Sequence, residues 1–156
     1  LKNLKSLISL SVSGFNIYFK YLVMINIPKK IYIKYSDGRG LGVFANEYIS
    51  KNEVIEDCPL ITLPIKKGES SNILLDYRFN YPQGDDFQEQ VLGLGYASLY
   101  NHSETPNAKW INHPTLKKVF RFVALKEINP QEEILVYYGG NNYWFDGRVD
   151  TLSKIV

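Results

Sequence analysis

At 156 residues the chain has the size of one domain and enough length to bury a real hydrophobic core. Apolar residues at 45% and charged residues at 22% exclude a disordered chain, and a single cysteine, Cys58, excludes an intrachain disulfide and a cysteine-built zinc cluster. The net charge of +2 is uneven: six lysines and no acid precede Asp37, so residues 37–156 carry −4. That balance argues against a nucleic-acid binder, which needs a clustered basic face, and it tolerates a basic peptide partner.

Met24 is the only methionine, and translation is expected to begin there. Residues 1–23 then read as upstream read-through or a disordered extension, with the domain on residues 24–156. "LISLSVSGF" is apolar behind lysines, as in a signal peptide, but Asn16 and Lys20 interrupt the later apolar run and no small-residue cleavage site is clear. A membrane span needs roughly 20 apolar residues in a row, which this stretch lacks. One lone cysteine suits an intracellular, reducing compartment.

From residue 25 onward the pattern is β-like. "KKIYIKYS" alternates Ile31, Ile33 and Tyr35 against Tyr32 and Lys34, the period of a strand. "GLGVFANEYI" gives a second strand, and "KNEVIEDCPLITLP" a third and fourth with a break at Pro59. "SSNILLDYRFNYP" is the best helix candidate, with Ser70 or Ser71 as N-cap and Pro82 beyond its end. "KVFRFVAL" and "EEILVYYG" are strands, and "EINPQEE" between them carries an Asn-Pro turn. The expected fold is mainly β, with short helices in a single domain.

Three stretches invite a chemical reading. In "DGRGLGVF", Gly38, Gly40 and Gly42 alternate; the spacing misses the dinucleotide fingerprint, and a strand follows instead of a helix. Such glycines either form a plain hairpin turn or let a ligand approach the backbone closely. "NHSETPN" is a polar run among aromatic neighbours, readable as a turn or, in a secreted protein, a glycosylation sequon. With His113 the only other histidine it makes a poor metal site, and no nucleophile motif accompanies it. "EEILVYYGGNNYW" places Ile134, Val136 and Tyr138 on one strand face and gathers Tyr137, Tyr138, Tyr143 and Trp144 at its end. Clustered rings with hydroxyl tips suit a narrow channel for a cationic amine.

In this order, from about Ile31 to Phe145, the three stretches resemble the SET domain family of protein lysine methyltransferases. "GRGLGVFA" is similar to the family's first motif, which implies that Gly40, Leu41 and Gly42 cradle S-adenosylmethionine. "LYNHSETPNA" is similar to its cofactor signature, with Asn101 and His102 as contacts, and "EEILVYYG" to its final catalytic strand. "EDCPLITLP" and "LGLGYASLYNHS" look especially like short stand-alone SET proteins of bacteria and large DNA viruses. That likeness places the protein in a bacterial cytoplasm or, if viral, in the host cell interior or nucleus.

The resemblance implies a C-terminal pseudoknot, the last strand passing through the Asn-His-Ser loop. It implies direct methyl transfer to a lysine ε-amine of a protein or peptide, histone-like or otherwise basic, with no metal, nucleic acid or membrane. A homodimer is compatible with it. Tyr138 would be the catalytic residue and a cofactor contact, and Tyr77, Tyr143 and Trp144 would line the lysine channel. Two departures stand out: Tyr137 occupies a position that is often an acid or asparagine, and the cysteine-rich zinc segment that follows many SET domains is absent. "NNYWF" is then the candidate to close the channel. The alternative is a SET-like peptide-binding module without catalysis.

Overall fold

A computed structural model describes residues 25–64, 77–84 and 86–139. The proposed extension 1–23, the first half of the expected helix, and Tyr143 and Trp144 lie outside the described residues.

The regular secondary structure of the described residues is nearly all strand. β1 (Ile31–Ser36) and β2 (Gly40–Ala45) form a hairpin in the register Ile31↔Ala45 to Ser36↔Gly40. Its turn closes through Arg39 N–H to Ser36 O at 3.1 Å, and Gly38 and Gly40 carry φ of 67° and 73°, a region that glycine enters without steric cost. A five-stranded sheet has the order β4-β5-β3-β8-β7, from β3 (Val54–Thr62), β4 (Arg78–Tyr81), β5 (Glu89–Gly93), β7 (Ala108–Asn112) and β8 (Val119–Ala124). β6 (Asn101–His102) and β9 (Leu135–Val136) make a short parallel pair.

The strand alternation expected for "KVFRFVAL" is borne out. Phe120, Phe122 and Ala124 are wholly buried on one face of β8, while Arg121 and Val123 take the other. Burying one such Phe contributes about 1.5–3 kcal/mol. On the opposite face Arg121 grips its cross-strand partner Asp57 with two bonds, 2.7 and 2.9 Å. Asp57 also accepts the Asn26 N–H at 3.0 Å, fastening the first described residues to the sheet. The Asn-Pro turn is present too, closed by Glu132 N–H to Asn129 O at 3.1 Å.

Two expectations need correction. Pro59 does not split β3. Its carbonyl accepts Leu94 N–H at 2.8 Å, so its nitrogen faces the β5 edge one position past the last β5 pair, Leu60↔Gly93, where no ladder donor is required. Nor is Arg78–Tyr81 helical. Phe79 and Tyr81 alternate onto the core face, where Phe79 meets Trp110 and Phe120 edge-on at 5.5 and 5.6 Å, while the backbone pairs with β5. Aromatic packing and a ready strand partner outweigh the helix signals of the preceding serines.

Candidate active site

The site is assembled where β9 crosses the loop 101–107. On one side β9 pairs in parallel with Asn101 and His102, and Ser103 N–H donates to Val136 O at 2.9 Å. On the other side Asn107 takes over: its N–H donates to Leu135 O at 3.1 Å, its Oδ1 accepts Leu135 N–H at 2.7 Å, and its Nδ2 donates to Glu133 O at 2.7 Å. The Asn107 primary amide thus imitates a strand edge, and β9 is held inside the loop from both sides. This is the pseudoknot expected of the chain. It gives Asn107 and His102 of the polar run a purpose, because their side chains satisfy backbone groups of this segment, at Glu133, Leu135 and Tyr138, that the strand pairing leaves open.

Tyr138 follows directly. Ile134 and Val136 are buried beneath it and fix the strand face, so the Tyr138 ring packs against the core. Its hydroxyl donates to the main-chain carbonyl of Tyr100 at 2.6 Å, and its N–H donates to His102 Nδ1 at 3.1 Å. His102 Nδ1 therefore accepts, which leaves Nε2 to carry the proton towards Glu104 Oε1 at 3.1 Å. Tyr137, where an acid or asparagine is common, turns its ring towards His102 at 5.5 Å.

The hairpin supplies the opposite wall. Asn101 Nδ2 donates to Leu41 O at 3.3 Å and to Glu133 Oε1 at 2.8 Å. A Cβ on Gly42 would come within 2.5 Å of Glu133 Oε1 and 2.9 Å of Asn101 Nδ2, so any larger residue must displace those two hydrogen-bonded side-chain ends. A Cβ on Gly40 would meet nothing within 4 Å. The backbone at Gly40–Leu41 thus borders open space, as a cradle for a ligand requires, while Gly42 is backed by the polar cluster. Gly40, Leu41, Gly42, Asn101, His102 and Tyr138 are brought together as one surface.

Tyr77 is tied to the turn that precedes Tyr100. Its carbonyl accepts Ser98 Oγ at 3.1 Å, beside the short 3-10 turn Ala97–Leu99 that leads into Tyr100, and at 37% exposure it is no core aromatic. Beneath that turn is a buried polar group. Burial raises the Glu56 carboxyl and the Tyr100 hydroxyl above their ordinary values, and the Cys58 thiol is raised by burial and by Glu56. Tyr100 itself stacks on Phe122 at 4.4 Å.

Three contributors were not singled out from the sequence. Tyr100 acts through its carbonyl, which no side-chain pattern reveals. Glu133 and Asn107 stood within recognisable motifs, but only spatial contacts give them roles.

The SET domain family's sequence model matches residues 40–139. The chain is 28% identical over 132 residues to "Histone-lysine N-methyltransferase, H3 lysine-37 specific" of Schizosaccharomyces pombe, covering 83% of this chain and 86% of that protein. It is 41% identical to a crystal structure of a candidate histone methyltransferase of Plasmodium falciparum, with a TM-score of 0.58 over 76% of this chain and 99% of that one. Sequence match, strand order and the strand-in-loop crossing agree: this chain belongs to the SET domain family.

Proposed function

We propose that the chain is a protein-lysine N-methyltransferase that uses S-adenosylmethionine and transfers its methyl group directly to a lysine ε-amine. The observation that supports this best is the placement of Tyr138, its hydroxyl fixed on the Tyr100 carbonyl immediately before the Asn101–His102 wall. The relatives' names point to histone-lysine methylation, so a lysine-containing protein is the substrate class and histone H3 the first to try.

The open backbone at Gly40–Leu41 and the polar side chains of Asn101 and His102 fit the cofactor. When bound, it supplies an electrophilic methyl on a sulfonium. The protein's own task is alignment, for which well-oriented groups supply roughly 7–11 kcal/mol of a barrier. Tyr138 is held by backbone and hydroxyl together, so its oxygen stays where an incoming amine must be oriented. The lysine must arrive neutral. Its ordinary pKa near 10.4 falls on desolvation among aromatic rings and beside a positive charge. In this reading Tyr77, Tyr143 and Trp144 line the lysine channel. The likeness of "EDCPLITLP" and "LGLGYASLYNHS" to stand-alone bacterial and viral proteins belongs to the same proposal.

Calorimetric titration of S-adenosylmethionine and S-adenosylhomocysteine into the whole chain is the test, followed by mass spectrometry of histone H3 peptides. Micromolar binding and a 14 Da gain per methyl, an expectation from the chemistry of roughly one CH₂ added to the amine, support the enzyme. Folded protein that binds neither ligand would leave a peptide-binding module in its place.

A further inference from the structure

Glu133 is the point where all three sequence motifs meet. Its Oε2 accepts the Ser36 hydroxyl at 2.9 Å and the Arg39 guanidinium at 2.6 Å, both from the first hairpin. Its Oε1 accepts the Asn101 amide at 2.8 Å, from the polar loop. Glu133 itself lies two residues before β9, the strand that leads to Tyr138, and its side chain is only 11% exposed. The Gly42 backbone closes the cluster from behind, where an added Cβ would press on Glu133 Oε1 and Asn101 Nδ2 themselves.

The donor count is what makes a carboxylate necessary. Ser36, Arg39 and Asn101 each offer a hydrogen, and a carboxylate accepts at both oxygens without offering one back. Holding Asn101 Nδ2 between Glu133 Oε1 and Leu41 O also decides which end of that amide faces the open side. We propose that Glu133 is the positioning residue of this site, fixing the Asn101 amide and tying it to the hairpin that carries Gly40 and Leu41. The inference takes its consequence, cofactor affinity, from the methyltransferase reading.

Glu133→Gln keeps the shape and breaks the count. With its oxygen towards Asn101, its NH₂ meets the Arg39 guanidinium. With its NH₂ towards Asn101, that amide must turn over and lose Leu41. Removing the competing donor restores a solution: in Arg39→Met/Glu133→Gln the oxygen accepts Asn101 and the NH₂ donates to the Ser36 hydroxyl. A general packing role predicts the reverse, with the double variant worse than either single one.

The experiment pairs calorimetry with the ¹⁵N-labelled side-chain amide signals of Asn101, assigned by their loss in Asn101→Asp. Glu133→Gln is expected to weaken S-adenosylhomocysteine binding at least tenfold and to shift the Asn101 amide pair in ligand-free protein. Arg39→Met/Glu133→Gln is expected to regain most of that loss. Affinity within twofold of wild type in Glu133→Gln, or unchanged Asn101 signals, overturns the proposal. If Glu133→Gln alone fails to fold, Arg39→Met against Arg39→Met/Glu133→Ala makes the same comparison without stranding the guanidinium. Should wild type bind no cofactor, the methyltransferase reading falls, and the Asn101 signals alone decide whether Glu133 orients that side chain.

Discussion

The hydroxyl of Tyr138 donates a 2.6 Å hydrogen bond to the carbonyl of Tyr100, 38 residues earlier in the chain. A main-chain acceptor at that distance does not adjust its rotamer, so the phenol oxygen is fixed by backbone geometry. The backbone is fixed in turn by the strand-in-loop crossing and by Tyr100, buried and stacked on Phe122.

Tyr138→Phe removes that oxygen and little else, since the ring packing and the N–H bond to His102 remain. Turnover is expected to fall at least tenfold, about 1.4 kcal/mol, with cofactor affinity changed less than about threefold. Steady-state methylation of an H3 peptide beside calorimetry checks both. Near-normal turnover would remove Tyr138 from the mechanism.

Gly42→Ala forces a methyl group against Glu133 and Asn101. Overpacking of this kind costs about 1–3 kcal/mol, and here it also pushes on the proposed cofactor wall. Denaturant melts and cofactor titration should therefore both show a loss. Gly38→Ala is the contrast: its Cβ meets nothing, but φ of 67° makes it cost about 1–2 kcal/mol through the backbone alone. Equal cofactor losses in the two variants would contradict the steric account.

Asp57 sits under opposing influences. Burial would raise its carboxyl, yet the Arg121 bonds, the Asn26 N–H and nearby positive charge together hold it below the ordinary value of 3.8. A carboxyl lowered by folding contributes stability that is whole above 3.8 and is lost as pH falls through its folded value. Asp57→Asn should lower unfolding free energy by roughly 2–4 kcal/mol at neutral pH, because Arg121 is left without its counter-charge but keeps some solvent contact. It should also flatten the acid limb of a stability–pH curve. A variant as acid-sensitive as wild type would show that other carboxylates set that limb.

Glu56 has the opposite sign. Burial raises it above 4.5, outweighing the help of Cys58, Tyr100 and the Tyr96 N–H, and Asp57 adds to the rise. Its contribution is whole below 4.5 and is lost as pH rises through the folded value. Glu56→Gln should therefore leave acid stability nearly unchanged and raise the melting temperature towards alkaline pH. A fall there instead would mean that the carboxylate, not the acid, is the form that the core holds.

The sequence by itself determined the parts whose signal is local. Period-two alternation marked β1 and β8, alternate glycines marked the hairpin turn, and Asn129-Pro130 marked the turn before the last strand. The order of "GRGLG", "NHS" and "EILVYY" was enough to bring Gly40, Asn101, His102 and Tyr138 under one family resemblance. Tertiary structure decided what depends on partners far along the chain. Whether Pro59 ends a strand depends on which edge its nitrogen faces, and Phe79 and Tyr81 become strand because Trp110 and Phe120 wait for their rings. Glu133 reads as one acid in an acidic pair until Ser36 and Arg39, 97 and 94 residues away, close on its carboxylate. Periodicity reports which face of an element is buried. It carries no record of which distant donor will meet which acceptor, and the geometry of this site is made of those meetings.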